Sequence, residues 1–414
     1  MSSVSSLPES PKYQRRYELD WLRALAVFLV FIFHLLGIFA LITPAALVND
    51  ELSYFADIFI VLLAANGMPV FFIISGYGIF YSLHYLTRRQ FILGRFIRLM
   101  VPYFFVIFLQ LPFQLYFLRI KPYRNPLPFI SFPDWYFDYL TNGIVGIHEK
   151  ASFSLWGAHL WFLLFLFLMS MVGLPFFLFL KQDHIRPYLT RIATILNRPG
   201  GLYLLLLPII IEEFLYYEYF PTLVSSLDSL HPFLAQLTLL FIPRISGWSM
   251  ISYFLFLLYG FFFASVDFSN DIFKANTLPS LFIGVFIGCI ALPMYLGLRL
   301  ELLVLLLLMV YGWSMMTVIL SSAIHFLHSF NPKVLKFLNE IGMPFYILHQ
   351  TVLVIVGWIV IQLDLIFPLK FLLILCISSG IILGLIVLIR KSNLLRFLHG
   401  MKVKSKKSQK SIFR

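Results

Sequence analysis

The stretch Tyr17-Glu18-Leu19-Asp20-Trp21-Leu22-Arg23-Ala24-Leu25-Ala26-Val27 runs on through apolar residues to His34. Residues 21–42 are long enough to cross about 30 Å of hydrocarbon as one helix, and Arg23 and His34 are their only ionisable side chains. The helix rises about 16 Å between the two, in roughly three turns. They therefore share a face, Arg23 near a membrane surface and His34 deep in the bilayer. An ionisable group at that depth is costly, which makes it a functional-site candidate. The plainer alternatives are an interfacial anchor for Arg23 and an interhelical hydrogen bond for His34. Asp20 lies one turn before Arg23, where a carboxylate also suits the positive end of the helix dipole.

Composition places the whole chain in the same class. The 414 residues are 60% hydrophobic and 12% charged, about half the charge of an ordinary soluble domain. The net charge of +12 sits in basic residues that flank apolar runs. It reads as topology and contact with anionic lipid, not nucleic-acid binding. Cys289 and Cys376 both fall in apolar runs, and neither a disulfide framework nor a metal-ligand spacing is present. The leader carries Lys12, Arg15 and Arg16 ahead of the first apolar run, which reads as a retained first span.

About ten runs can span. They lie near 21–42, 54–82, 96–118, 159–180, 201–217, 247–266, 278–298, 301–325, 343–363 and 368–390. The expected fold is all-α, a polytopic transmembrane helix bundle with cytoplasmic N- and C-termini. A leader over 1–17 precedes a transmembrane domain over 18–392 and a basic tail over 393–414. With that orientation only Arg119, Lys121, Arg124, Lys150, Arg244, Arg299 and Lys370, of 31 Lys and Arg, fall outside. Asn66-Gly67-Met68-Pro69 and Gly76-Tyr77-Gly78 interrupt the second run, so irregular backbone facing protein or a cavity is expected there. The fifth run ends in Glu212 and Glu213, which read as solvated at its outer end. Outer loops near 119–158, with Phe129, Trp135, Tyr136, Tyr139 and His148, and near 218–246 either cover an external substrate or cap helices. The segment Lys402-Val403-Lys404-Ser405-Lys406-Lys407 reads as an orientation and lipid-contact signal.

Four polar groups within the apolar runs could carry chemistry. Asp20, Arg23 and His34 form the first: a neutral histidine in a dry cavity can take a proton from a hydroxyl, and arginine can hold a phosphate or orient a partner. Arg95 and Arg98 form the second, three residues apart at the basic start of a span. Their two guanidinium forks make a phosphate surface, or else ordinary anchors, as Arg88 and Arg89 do. The third is His159 beside Trp161, where Trp also suits an interfacial belt. The fourth is Tyr346, His349 and Gln350, sharing a helical face that either contacts substrate or bonds between helices. Asp57 is a lesser candidate. No nucleophile elbow, Gly-rich phosphate loop or metal triad stands out.

Together these motifs resemble the acyltransferase-3 family of membrane O-acyltransferases. The likeness rests on Arg23 and His34 in the first helix and Phe71-Phe72-Ile73-Ile74-Ser75-Gly76-Tyr77 in the second. It continues with Arg95, Arg98 and Pro102, with His159-Leu160-Trp161-Phe162-Leu163, and with Pro344-Phe345-Tyr346-Ile347-Leu348-His349-Gln350. It runs from about Tyr17 to Met401. The last of these segments, with the ending Leu395 to Lys402, is similar to a branch that succinylates periplasmic glucans, the glucans biosynthesis protein C branch.

The resemblance implies transfer of an acyl group, commonly acetyl, from cytoplasmic acyl-coenzyme A to a hydroxyl of a carbohydrate or related acceptor. It implies that Arg23, His34, Arg95 and Arg98 matter for activity. On this reading His34 and Arg23, with Asp20, are catalytic, and Arg95 and Arg98 bind acyl-coenzyme A. His159, Trp161, Tyr346, His349 and Gln350 contact substrate. Acyl-coenzyme A is the cosubstrate, acetyl-coenzyme A before others, with no metal. The partners are this donor, the hydroxyl acceptor and the bilayer of the cytoplasmic membrane, without nucleic acid. A different class also fits the residues: a ten-span transporter or flippase with His34 and Asp57 in a proton relay and broken helices near Gly67 and Pro69.

Overall fold

A computed structural model describes residues 16–42, 47, 51–119, 131–142, 157–231, 238, 242–266, 269–297, 301–327 and 331–404. Helix α1 covers Tyr17–Leu36, α2 Tyr54–Tyr85 and α3 Arg88–Leu118. The short helix α4, Phe132–Asn142, precedes α5, Trp161–Val172, and α6, Leu174–Leu180. Then come α7, Arg186–Leu196, and α8, Leu206–Leu230. A hairpin of β1, Arg244–Ile245, and β2, Trp248–Ser249, leads into α9, Met250–Ser265. The remainder is α10, Ser269–Gly297; α11, Glu301–Phe326; α12, Pro332–Val360; α13, Phe367–Ile389; and α14, Asn393–Leu398.

Among the described residues, α1, α2, α3, α10, α11, α12 and α13 are long and apolar enough to cross a membrane. Helices α5 and α6 make an eighth span if taken together across their 56° bend. The two other expected runs are α8, which carries Glu212 and Glu213, and α9, which is 16 residues long. The multi-pass all-helical bundle is as expected. Helix α12 is the central one: 78% of its most apolar window is buried, and it packs against α1, α3 and α13. Helix α2 packs against α1, α9 and α11.

Helix α2 corrects the expectation of a broken second span, because it runs unbroken through Asn66, Gly67 and Pro69. Proline removes one N–H and leaves the carbonyl four residues back without its helical donor. That carbonyl belongs to Ala65, and the Trp248 indole N–H donates to it at 3.0 Å. The hairpin thus supplies the bond that Pro69 withholds. Glycine at 76 serves packing, not irregularity. A Cβ there would lie 2.2 Å from the Leu257 carbonyl oxygen, and one on Gly260 would lie 2.0 Å from the Ile73 oxygen. The backbones of α2 and α9 approach as closely as paired glycines allow.

The fifth run needs a second correction. Glu212 is only partly exposed and Glu213 is not solvated at all. Glu213 is fully buried, pairs with Arg244 at 3.1 Å, and accepts from Ser249 N (2.7 Å) and Ser252 Oγ (2.8 Å). Glu212 accepts from the hydroxyls of Ser249 and Ser252 at 2.6–2.9 Å. A buried carboxylate persists only when paired and hydrogen-bonded, and these bonds fasten the hairpin to α8.

Helix α3 contains two π-helical turns, Phe96–Met100 and Val106–Gln110. Helix α4 caps the second. The hydroxyls of Tyr139 and Tyr136 donate to the carbonyls of Ile107 (2.9 Å) and Phe108 (2.8 Å), and Trp135 is buried beneath them. This part of the aromatic loop therefore caps a helix; Phe129 and His148 lie outside the described residues.

One end of the bundle gathers the polar ends of many helices. Arg16 donates to Asn270 (2.7 Å), pairs with Glu18 and lies over the Tyr77 ring. Glu340 pairs with Arg390 and with buried Arg396, both at 3.1 Å. The chain beyond α13, as far as residue 404, folds back here. His399 packs on Phe105 with ring centroids 4.9 Å apart, and its Nδ1 donates to the Leu395 carbonyl. Burial lowers the pKa of His399, which sits beyond the last span. Lys402 and Lys404 join this fold through backbone bonds to Arg396 and Asn393; Lys406 and Lys407 lie outside the described residues.

Candidate active site

Residues Leu22, Leu25, Ala26, Leu29, Val30, Phe33 and His34 form one stripe of α1 at helical spacing. That stripe walls a cavity of about 420 Å³. The cavity follows α1 from Leu22, the neighbour of Arg23, to His34, and is lined elsewhere by α2, α11, Trp161, Tyr346, His159 and Ser246. A second cavity of about 490 Å³ begins at His34 and continues along Gly37, Ile60 and Val61 toward the other end of the bundle. Its walls include Trp248, Tyr295, Leu305 and Gln350. His34, Phe33, Ala64 and Ser246 line both. His34 thus stands at the junction of two chambers that extend toward opposite ends of the bundle.

The hairpin tip shapes this junction. Ser246 and Gly247 both hold left-handed backbone, at φ 52° and 85°, as a two-residue hairpin turn of the primed type requires. Arg244 donates to the Gly247 carbonyl at 2.8 Å and so braces the tip from behind.

Three imidazoles cluster at the junction. The His349 ring lies 5.3 Å from that of His34 and 5.3 Å from that of His159, centroid to centroid. His349 Nδ1 donates to the Tyr346 carbonyl at 2.7 Å, and His159 Nε2 faces the Ile347 carbonyl at 3.3 Å. A carbonyl only accepts, so those nitrogens carry the protons. The opposite nitrogens, His349 Nε2 and His159 Nδ1, are buried with no hydrogen-bond partner. His159 is presented by a left-handed pair, Gly157 (φ 69°) and Ala158 (φ 50°). Glycine is required at 157 on two counts, since a Cβ there would also meet the Tyr103 ring at 2.7 Å.

The fourth motif divides instead of presenting one surface. The Tyr346 ring lines the first cavity while its hydroxyl donates to the His159 carbonyl at 2.7 Å. Gln350 lines the second cavity, with its Oε1 unpartnered. His349 lines neither. Spacing puts the three on one side of α12, but the chambers meet there and split that side.

Asp20 and Arg23 lie together at the basic end, 3.0 Å apart, and Arg23 also donates to Asn339 at 2.7 Å. They sit a cavity's length from His34. Arg95 and Arg98 follow α3 at the same end, Arg98 inside the first π-helical turn. Arg95 is half-buried over the Phe91 ring and Arg98 is exposed. Among the described residues neither makes a hydrogen bond or ion pair. Asp57 is fully buried and accepts the N–H groups of Leu41 and Ile42, each at 2.9 Å, closing the turn after α1.

Sequence reading passed over Gln110, Gln114 and Thr351. Gln110 donates to the Ile347 carbonyl (2.8 Å) and Thr351 (2.9 Å), and Thr351 donates to Gln114 (3.1 Å). This ladder locks α3 to α12 beside the histidines. The available signal was two glutamines four apart in an apolar span, which marks one polar face. Among the described residues no three His, Cys, Asp or Glu side chains converge to hold a metal ion.

A family model described as an acyltransferase domain, that of the acyltransferase-3 family, matches residues 16–391. No curated protein and no solved structure matches the chain.

Proposed function

The chain belongs to the acyltransferase-3 family and is a multi-pass membrane acyltransferase, and from that premise we propose that it moves an acyl group from acyl-coenzyme A to an acceptor hydroxyl at His34. The observation that carries this reading is the position of His34, the one histidine among the described residues that lines both cavities. The basic end is taken as cytoplasmic, on the charge distribution of the loops. There Arg95 and Arg98, with no counter-ions among the described residues, hold the phosphates of the donor. The first cavity takes the flexible arm and its thioester, and Arg23 stands near its mouth. Arg23 is about 16 Å of helix from His34, so it serves donor binding and not the oxyanion. Its partner Asp20 fixes it in place.

The second cavity brings the acceptor hydroxyl to His34 from the opposite end. Neutral His34 takes the hydroxyl proton as the oxygen attacks the thioester carbon. Collapse of the tetrahedral adduct breaks the carbon–sulfur bond, and His34 returns the proton to the thiolate. The apolar walls exclude water that would hydrolyse the thioester. Among the described residues no lysine or arginine lines either cavity. A succinyl carboxylate would find no counter-charge there, which favours acetyl. The acceptor is a carbohydrate or a similar hydroxyl compound on the far side of the cytoplasmic membrane.

Vesicles exposing the basic end test this directly when given labelled acetyl- or succinyl-coenzyme A. Label passing from acetyl-coenzyme A into a glycan or small-molecule fraction is the expected result. No transfer from either donor, with no binding of either to the purified protein, would overturn the reading.

A further inference from the structure

Every buried imidazole nitrogen must be accounted for, and His349 has one that is not. The residue is 1% exposed and lines neither cavity. Its Nδ1–H is committed to the Tyr346 carbonyl at 2.7 Å. That bond fixes the tautomer and leaves Nε2 as a bare acceptor, buried and unpartnered. A buried acceptor left unmade is costly, so a native site keeps one for a reason. The His34 ring is 5.3 Å away centroid to centroid, tilted by 38°. Phe31 meets the His349 ring edge-on, and α12 is the most buried helix of the bundle. The His349 ring is therefore held firmly while His34 opens onto both cavities.

We propose that His349 is the positioning residue of His34. Its Nε2 accepts one ring N–H of His34, which sets the tautomer of the base and turns the bare nitrogen of His34 to the cavity junction. The proposal rests on the reading of His34 as the base. When the acceptor hydroxyl gives its proton to that bare nitrogen, His34 becomes an imidazolium, and the His349 acceptor stabilises it. When the carbon–sulfur bond breaks, the same proton goes to the thiolate, and both rings return to their starting forms. A base oriented by a third group is a recurrent logic in proton transfer, here built from a second imidazole and a main-chain carbonyl in place of a carboxylate. Bonds of this kind are often long without substrate and tighten when it binds.

Two measurements on the full-length protein test it. The first compares His349→Leu with His349→Gln for acyl transfer. The glutamine amide keeps an acceptor oxygen near the position of Nε2. The leucine variant is expected to lose about ten- to a hundredfold in kcat with an unchanged donor KM, and the glutamine variant to recover most of the loss. The second reads the ring nitrogens of ¹⁵N-histidine by solid-state NMR, assigning His34 by its absence in His34→Ala. One tautomer of His34 is expected in the wild type and a mixture in His349→Leu. Unchanged kcat in His349→Leu would overturn the proposal. So would equal losses in both variants with the His34 tautomer unaltered, which would mean packing only. The NMR readout does not depend on turnover, so it separates failure of this proposal from failure of the base assignment.

Discussion

Arg95 and Arg98 stand three residues apart on α3 with no anionic partner among the described residues, whereas Arg23, Arg244, Arg390 and Arg396 all have carboxylate partners. Two adjacent cations without a counter-ion repel, and a bound phosphate would relieve that repulsion. Arg95→Gln and Arg98→Gln should each raise the donor KM by about tenfold with little change in kcat, and lysine should restore part of the loss. Steady-state kinetics at varied acyl-coenzyme A check this; a fall in kcat at constant KM would contradict it. Arg23, His34 and this pair were legible in the sequence because each is a costly group within an apolar run. The separation of Tyr346, His349 and Gln350 was not. A helical projection gives the face a residue occupies, but the neighbours that divide that face come from α1, α3 and the start of α5.

Helix α2 shows why punctuation misleads inside a membrane bundle. Asn66, Gly67 and Pro69 announce a break when read alone, and in water they would make one. Here the price of Pro69 is met by Trp248, 179 residues on, which no local pattern can reveal. Trp248→Phe keeps the ring and removes the N–H, leaving the Ala65 carbonyl buried without a donor. The expected cost is about 1–3 kcal/mol, read as a lower thermal midpoint in detergent. Pro69→Ala restores a helical N–H at that carbonyl, so Trp248→Phe should cost much less in that background. Equal losses in both backgrounds would contradict this account of the helix. The same blindness to distant partners made Glu212 and Glu213 look solvated. With α2 continuous through Gly67 and Pro69 and Asp57 committed to backbone N–H groups, the particular features that suited a transporter are not found there.

At the scale of the molecule the proposed function requires an orientation of the two cavities, with donor at the basic end and acceptor at the other. Lys391 follows α13 at the basic end, and Gln362 follows α12 at the opposite one. In a background of Cys289→Ser and Cys376→Ser, an impermeant thiol reagent applied to intact cells should label Gln362→Cys and spare Lys391→Cys. The reverse pattern would place the donor site on the wrong side for coenzyme A. The all-helical, multi-pass class and the order of the apolar runs were readable from composition and periodicity, whereas of the ten expected spans seven helices, or eight with α5 and α6 joined, are long and apolar enough among the described residues. The chambers were not readable, because a cavity is a property of helices packed together.

In the proposed function the proton of the acceptor passes to His34 at the junction of the two chambers. Wild-type protein and His34→Ala in the same membranes should bind labelled acetyl-coenzyme A equally. Transfer of the label should fall by about 10²- to 10⁴-fold in the variant, the usual contribution of a positioned base. Transfer at the wild-type rate by His34→Ala would mean that His34 is not the base.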